Sequence, residues 1–253
     1  AKWSNNAAYR VERKTSNENE LSRFNPFEQN IADSSLITLQ SSFRNALAFN
    51  RSSAVFSADY TYQDQRNKNL LSNGFESRSD RFHEVGARWT VSKGITGLLR
   101  NRIGQKRALS DFVSGRNYFI RYQEIAPELQ WQPDPTQRVS LKGRYVVKNN
   151  EDELGGQQAE IIDFGIEGKW SDPSKGLLQA DFHWVEIAYD GENNNALAFE
   201  MLEALQIGRN FTWSASIQRT VGKNLQLNLV YNGRKSPEID AIHTGGVQLR
   251  AFF

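Results

Sequence analysis

Charged side chains recur at every second position in several stretches of this chain, within longer runs in which apolar and polar residues alternate. Arg100 and Arg102 lie two apart, as do Lys142 and Arg144, Glu167 and Lys169, and Asp181 and His183. Arg44, Asp59, Arg88, Arg121, Glu128, Asp163 and Arg250 fall in similar settings. In a strand, this spacing puts the charges on one face. They could brace a wall as ion pairs. With Arg and Lys in excess, they could instead line a pore that prefers anions. A dry protein core is excluded, because unpaired buried charge is very costly.

Other chemistry-bearing residues are sparse. His83, His183 and His243 are scattered, without metal-ligand spacing such as His-Glu-x-x-His. There is no cysteine, so disulfides and thiolate metal sites are impossible. Gly155-Gly156 and Gly245-Gly246 lack the strand–loop–helix setting of a phosphate loop. The reading is of a non-enzymatic chain with no catalytic residue, no metal and no cofactor. A formal net charge of +2 gives no case for a nucleic-acid partner.

The elements that must position these charges show in the apolar residues between them. At the end, Val247, Leu249, Ala251 and Phe253 alternate with Gln248 and Arg250. Leu225, Leu227, Leu229 and Tyr231 form an earlier alternating run, joined through Gly222-Lys223-Asn224 to Phe211, Trp213, Ala215 and Ile217. Similar pairs of runs meet at 171–176, 132–135, 92–94 and 50–52, and Trp3, Ala7, Tyr9 and Val11 suggest one more strand. Alternation shifts near Pro127 and near Glu186. The first shift reads as a bulge or strand end, because proline cannot donate a ladder hydrogen bond.

Between these hairpins lie longer polar stretches at 13–34, 63–80, 107–116, 149–157, 190–209 and 233–242. Short and long connections thus alternate, as in outer-membrane barrels with short periplasmic turns and long extracellular loops. No stretch approaches the roughly 20 apolar residues of a membrane helix. Mean hydropathy is −0.63, and a barrel is compatible with that because only alternate residues face lipid. The expected fold is all-β: a closed, antiparallel, up-and-down transmembrane barrel of about 12 strands over residues 1–253. The chain begins at Ala1 with no leader pattern, which reads as a mature protein or a piece of one.

Trp3, Tyr62, Trp89, Trp131, Trp170, Trp184, Trp213 and Tyr231 fall in the apolar set and suit aromatic girdles at the membrane interfaces. One connection reads as a short amphipathic helix near 196–206, capped by Asn194 or Asn195 and ended by Gly208. Leu197, Met201, Leu202 and Leu205 share a face. Such a helix packs on the barrel rim or folds into the lumen as a plug.

The alternating end with terminal Phe253 resembles the C-terminal signature of outer-membrane barrels, which implies reading by the barrel-insertion machinery. The segments 197–206, 232–236 and 242–253, with Arg-Phe-Asn-Pro-Phe-Glu-Gln-Asn-Ile-Ala-Asp at 23–33, look like parts of large, poorly characterised outer-membrane proteins of the Bacteroidota. Members of that family are much longer. The resemblance implies a C-terminal barrel and brings no catalytic residues. Residues 70–79 are also similar to part of the outer-membrane phospholipase A motif, but Leu70 stands where that family has its histidine base.

The expected role is a Gram-negative outer-membrane anchor or a component of envelope transport or assembly. The alternatives are a porin-like, anion-preferring channel and a lipid hydrolase. Expected partners are outer-membrane lipid, lipopolysaccharide, the insertion machinery and other envelope proteins.

Overall fold

The computed structural model describes residues 1–14, 36–53, 55–172, 176–221 and 224–251. They form β1 (Lys2–Arg13), β2 (Leu36–Phe49), β3 (Phe56–Leu71), β4 (Gly74–Ser92), β5 (Ile95–Ser110), β6 (Tyr118–Asp134), β7 (Gln137–Asn150), β8 (Gln158–Asp172), β9 (Gly176–Tyr189), β10 (Gly208–Thr220), β11 (Leu225–Lys235) and β12 (Ile242–Ala251). A helix, α1 (Ala196–Met201), lies between β9 and β10. The strands make one antiparallel sheet of 12 in chain order. The expected closure is not seen: β1 and β12 are the two edges, and among the described residues no ladder joins them.

Register defines two faces. On the outward face, one lateral row runs Trp89, Gly97, Leu129, Leu141, Ile166, Phe182, Trp213, Gly233. Most of its large side chains are exposed, Leu141 at 53%. On the opposite face a row runs Thr61, Glu84, Arg102, Glu124, Val146, Ile161, Ile187. It is polar over β3–β6 and apolar over β7–β9. The apolar portion is buried: Val146, Ile161 and Ile187 are each at most 2% exposed.

This inner apolar portion explains the two apparent shifts of alternation. β6 runs through Pro127 in one register, from Ile125 opposite Tyr145 to Glu128 opposite Lys142. The expected bulge there is absent, and the irregularity falls between Trp131 and Asp134 instead. Gly143 makes room for the proline, whose Cγ lies 3.2 Å from where a Cβ would stand. Beyond Pro127 the inner positions become Tyr118, Ile120 and Tyr122, all buried. In β9 the inner Val185 and Ile187 do the same beyond Trp184. The side-chain period does not break at Pro127 or at Glu186; apolar residues change faces.

The expected polar connection at 63–80 is also corrected. β3 and β4 stay paired from Asp64–Arg81 out to Leu71–Gly74, closing on Ser72-Asn73. Both faces of this extension are polar, so it carries no alternation signal. Gly74, directly after the turn, takes a positive φ of 125°, which glycine adopts without steric cost. The stretch at 15–35, the turn residues Gly222 and Lys223, and the terminal Phe253 lie outside the described residues.

Candidate functional site

The inner apolar patch is covered by α1. Asn195 starts the helix, its Oδ1 accepting from the Ala198 amide at 2.7 Å, which satisfies one of the free first-turn donors. Leu197 and Met201 pack with Ala108, Tyr118, Ile120 and Ala159. Ala198 and Leu202 pack with Val146, Ile161, Val185 and Ile187. Five neighbouring strands, β5–β9, therefore wrap one helix, and α1 lies against the inner face.

The helix is shorter than the sequence pattern suggested, because Glu203 and Ala204 take left-handed φ values of 56° and 63°. That turn brings the Glu203 carboxylate to the wall. Arg144 donates to it at 2.9 and 2.6 Å, and the Lys148 ammonium lies 2.9 Å away. Lys148 also donates to the carbonyls of Glu200 at 3.1 Å and Met201 at 3.0 Å. All three ammonium donors thus have acceptors, and two of those acceptors are helix-end carbonyls that otherwise lack partners. Lys106 pairs with Glu200 from β5. Burial alone would raise the Glu203 carboxyl, but the Arg144 hydrogen bonds and the Lys148 charge outweigh it and hold the pKa at about 2. After the turn, Asn210 fixes the return into β10, donating to Gln206 O at 2.7 Å and Gly208 O at 3.0 Å.

The rest of the inner face is braced in part. Arg102 bonds Glu84 at 2.9 Å and Arg144 bonds Glu124 at 2.9 Å. Glu167 accepts from Arg138 at 3.0 Å and from Lys142. His183 meets Asp163 at 2.8 Å, and Ser214 donates to Asp181. Arg44, Asp59, Arg88, Arg100, Glu128, Lys169 and Arg250 share this face by register. Arg44, Arg88, Arg100, Lys169 and Arg250 make no ion pair among the described residues. A polar cleft of about 590 Å³ opens beside Glu200 towards β1–β5, with Arg10, Gln65, Arg78 and Asp80 among its lining residues.

Arg121 is the exception to the expected inner set. It pairs with Gln105 and Asn149 on the outward face, its side chain is 69% exposed, and it lies 3.5 Å from Glu151. Trp3, Tyr62, Trp89, Trp131, Trp170, Trp184, Trp213 and Tyr231 all fall on the outward face, as do Val247, Leu249 and Ala251 of β12. Tyr62 lies in mid-strand rather than at a strand end, because β3 continues past it. Residues not singled out from sequence include Lys106, Lys148, Glu203 and Asn210. Arg138, Lys142, Arg144 and Lys148 share one parity in β7, which was the available signal.

No hydrolase-like pair forms around residues 70–79. Ser72 sits in the hairpin turn, and His83 lies nine residues beyond Gly74 along β4, about 30 Å at the usual strand rise. His83 Nδ1 is 2.8 Å from the Tyr60 hydroxyl.

No protein-family description matches the chain, and no curated protein matches it. Solved structures do match in fold. One is CdiB from Acinetobacter baumannii, with a TM-score of 0.50 and 8% identity, covering 85% of this chain. The match takes in 45% of that structure's chain, so this chain spans less than half its length.

Proposed function

We propose that the chain is the membrane-spanning part of a Gram-negative outer-membrane β-barrel that serves as an anchor, or as a component of transport or assembly in the envelope, without catalysis. The contrast between the two faces carries this reading. Ile166, Leu141 and Phe164 stand exposed on the outward face, Phe164 at 58%, while the other face carries charged residues, paired in part, around the apolar patch that α1 covers. An apolar belt of that extent suits hydrocarbon rather than water. In hydrocarbon no sheet edge stays unpaired, so on this reading β1 and β12 each pair in the membrane, with one another or with further strands. The fold likeness to CdiB supports a strand-built sheet of this kind. The resemblance of residues 197–206 and 242–253 to large Bacteroidota outer-membrane proteins supports the same role.

On this reading α1 is a plug, docked on the inner wall by Arg144, Lys148 and Lys106. The test is insertion into lipid vesicles, scored by heat-modifiable gel mobility, followed by planar-bilayer recording. Insertion with low conductance that rises in Glu203→Gln supports a plugged barrel. Failure to insert overturns the membrane reading.

A second reading is an anion-preferring passage. The inner Arg and Lys residues without ion pairs favour it, as does the cleft that α1 leaves open towards β1–β5.

A further inference from the structure

We propose that the outward rim of β3–β6 binds the phosphate groups of outer-leaflet lipids, with Arg107 and Arg121 at its centre. The inference rests on the membrane reading above. Register sets the level of this rim. On the outward face Phe43, Tyr62 and His83 form an aromatic cluster, with Tyr62 6.0 Å from Phe43 and 4.8 Å from His83. One step towards the short turns the outward row is Tyr60, Val85, Asn101 and Ile125, with Val85 54% and Ile125 40% exposed.

Towards the long connections the next outward row is Asp64, Arg81, Gln105, Arg121, and the row after it adds Arg66 and Arg107. Asp64 holds both Arg66 at 2.8 Å and Arg81 at 3.0 Å, so that trio keeps one formal positive charge. Arg107 and Arg121 approach the Phe119 ring, at 6.0 and 5.3 Å from its centroid. Arg107 makes no ion pair among the described residues, and Arg121 has the 3.5 Å contact with Glu151. The rim over β8–β10 is the opposite in sign, with outward Glu160, Glu186 and Arg209. The cation excess over β3–β6 thus has no counterpart over β8–β10.

Interfacial aromatics mark the headgroup level, and basic clusters beside it recognise anionic headgroups. A guanidinium offers a planar fork that matches phosphate oxygens, and stacking on an aromatic ring limits the freedom it loses on binding. Two such forks beside the Phe119 ring, with the Asp64 trio next to them, form a surface for a lipid phosphate rather than for a neutral zwitterionic headgroup.

The experiment uses the full chain inserted in phosphatidylcholine vesicles. Electron spin resonance compares spin-labelled phosphatidic acid with spin-labelled phosphatidylcholine at the protein surface. Phosphatidic acid should associate about twofold or more over phosphatidylcholine, and high salt should reduce the preference. Arg107→Gln with Arg121→Gln should bring the ratio close to one. Arg51→Gln with Lys93→Gln, an equal charge loss in the turns at the other end, should leave it in place. Equal association of the two lipids with inserted protein overturns the site, as does a preference that survives the Arg107/Arg121 pair of changes. Insertion is scored separately by heat-modifiable mobility; a chain that does not insert overturns the membrane reading, and the site with it.

Discussion

Glu203 and Arg144 meet through two parallel hydrogen bonds, at 2.9 and 2.6 Å, which tie the turn after α1 to the middle of β7. Removing the charge of Glu203 leaves Lys148, only 5% exposed, with neutral acceptors alone. Glu203→Gln should therefore cost about 1–3 kcal/mol of local stability. Hydrogen exchange at the amides of Ala198 and Leu202 reports it. Unchanged protection at those amides would show that apolar packing alone holds the helix.

The same contact should depend on pH. The Glu203 carboxyl is held at about 2 in the folded protein, against an ordinary value of 4.5. A lowered folded pKa gives stability that is complete above about pH 4.5 and lost as pH falls towards 2. The groups facing it are Arg144 and Lys148, with Lys106 and Glu200 alongside and Glu124 sharing Arg144. The cations stay charged throughout that window. Protease cleavage between 190 and 207 should thus be slow at pH 6 and faster near pH 2.5, and in Glu203→Gln the difference should shrink. Equal cleavage at both pH values in the parent would rule out this carboxylate as the latch.

Parity made the two faces legible from sequence. Alternation around Leu225–Tyr231, Phe211–Ile217 and Val85–Trp89 named residues that the register places together on one face. Parity misplaced Arg121 for a physical reason. Beyond Pro127 the outward positions of β6, Gln123 and Arg121, leave the apolar belt, while the inner Tyr118, Ile120 and Tyr122 turn towards α1 and the wall beside it. Hydrophobicity there tracks the helix, and a period-two pattern cannot say which partner an apolar residue meets. Residues 63–80 were illegible because both sides of the β3–β4 extension are polar. The contacts of Lys148 and Glu203 depend on which strands curl round α1, which no local pattern encodes.

Trp213 lies directly across from Gly233, and a Cβ on Gly233 would stand 2.2 Å from the indole. Trp89 and Gly97 repeat the arrangement at 2.4 Å. Each glycine is the space its neighbour's ring occupies. Gly233→Val should displace Trp213 and cost about 1–3 kcal/mol, as overpacking usually does. Urea titration of vesicle-inserted protein, followed by Trp fluorescence, measures the loss. Full tolerance of valine would mean the ring has another place to lie.

Ile166 is 48% exposed in the centre of the outward row. Ile166→Arg should cost about 2–4 kcal/mol in a bilayer if this level lies near the midplane. The same change at an exposed site in water costs within about 0.5 kcal/mol. Folding into vesicles as readily as the parent would argue against lipid contact at this face.

Closure can be tested with the chain's own lack of cysteine. Ser4 lies on the inner face of β1, and Thr244, Gly246 and Gln248 lie on the inner face of β12. If the two edges pair in a register that brings one of these three positions opposite Ser4, the Cα atoms lie within the roughly 4.4–6.8 Å that a disulfide spans. Ser4→Cys combined in turn with Thr244→Cys, Gly246→Cys and Gln248→Cys should then cross-link under mild oxidation in vesicles, strongly in one register and weakly in the others. The cross-linked form should migrate distinctly on gels after heating and revert with reductant. An absence of cross-linking in all three, with insertion intact, would mean that β1 and β12 do not meet in any of these registers.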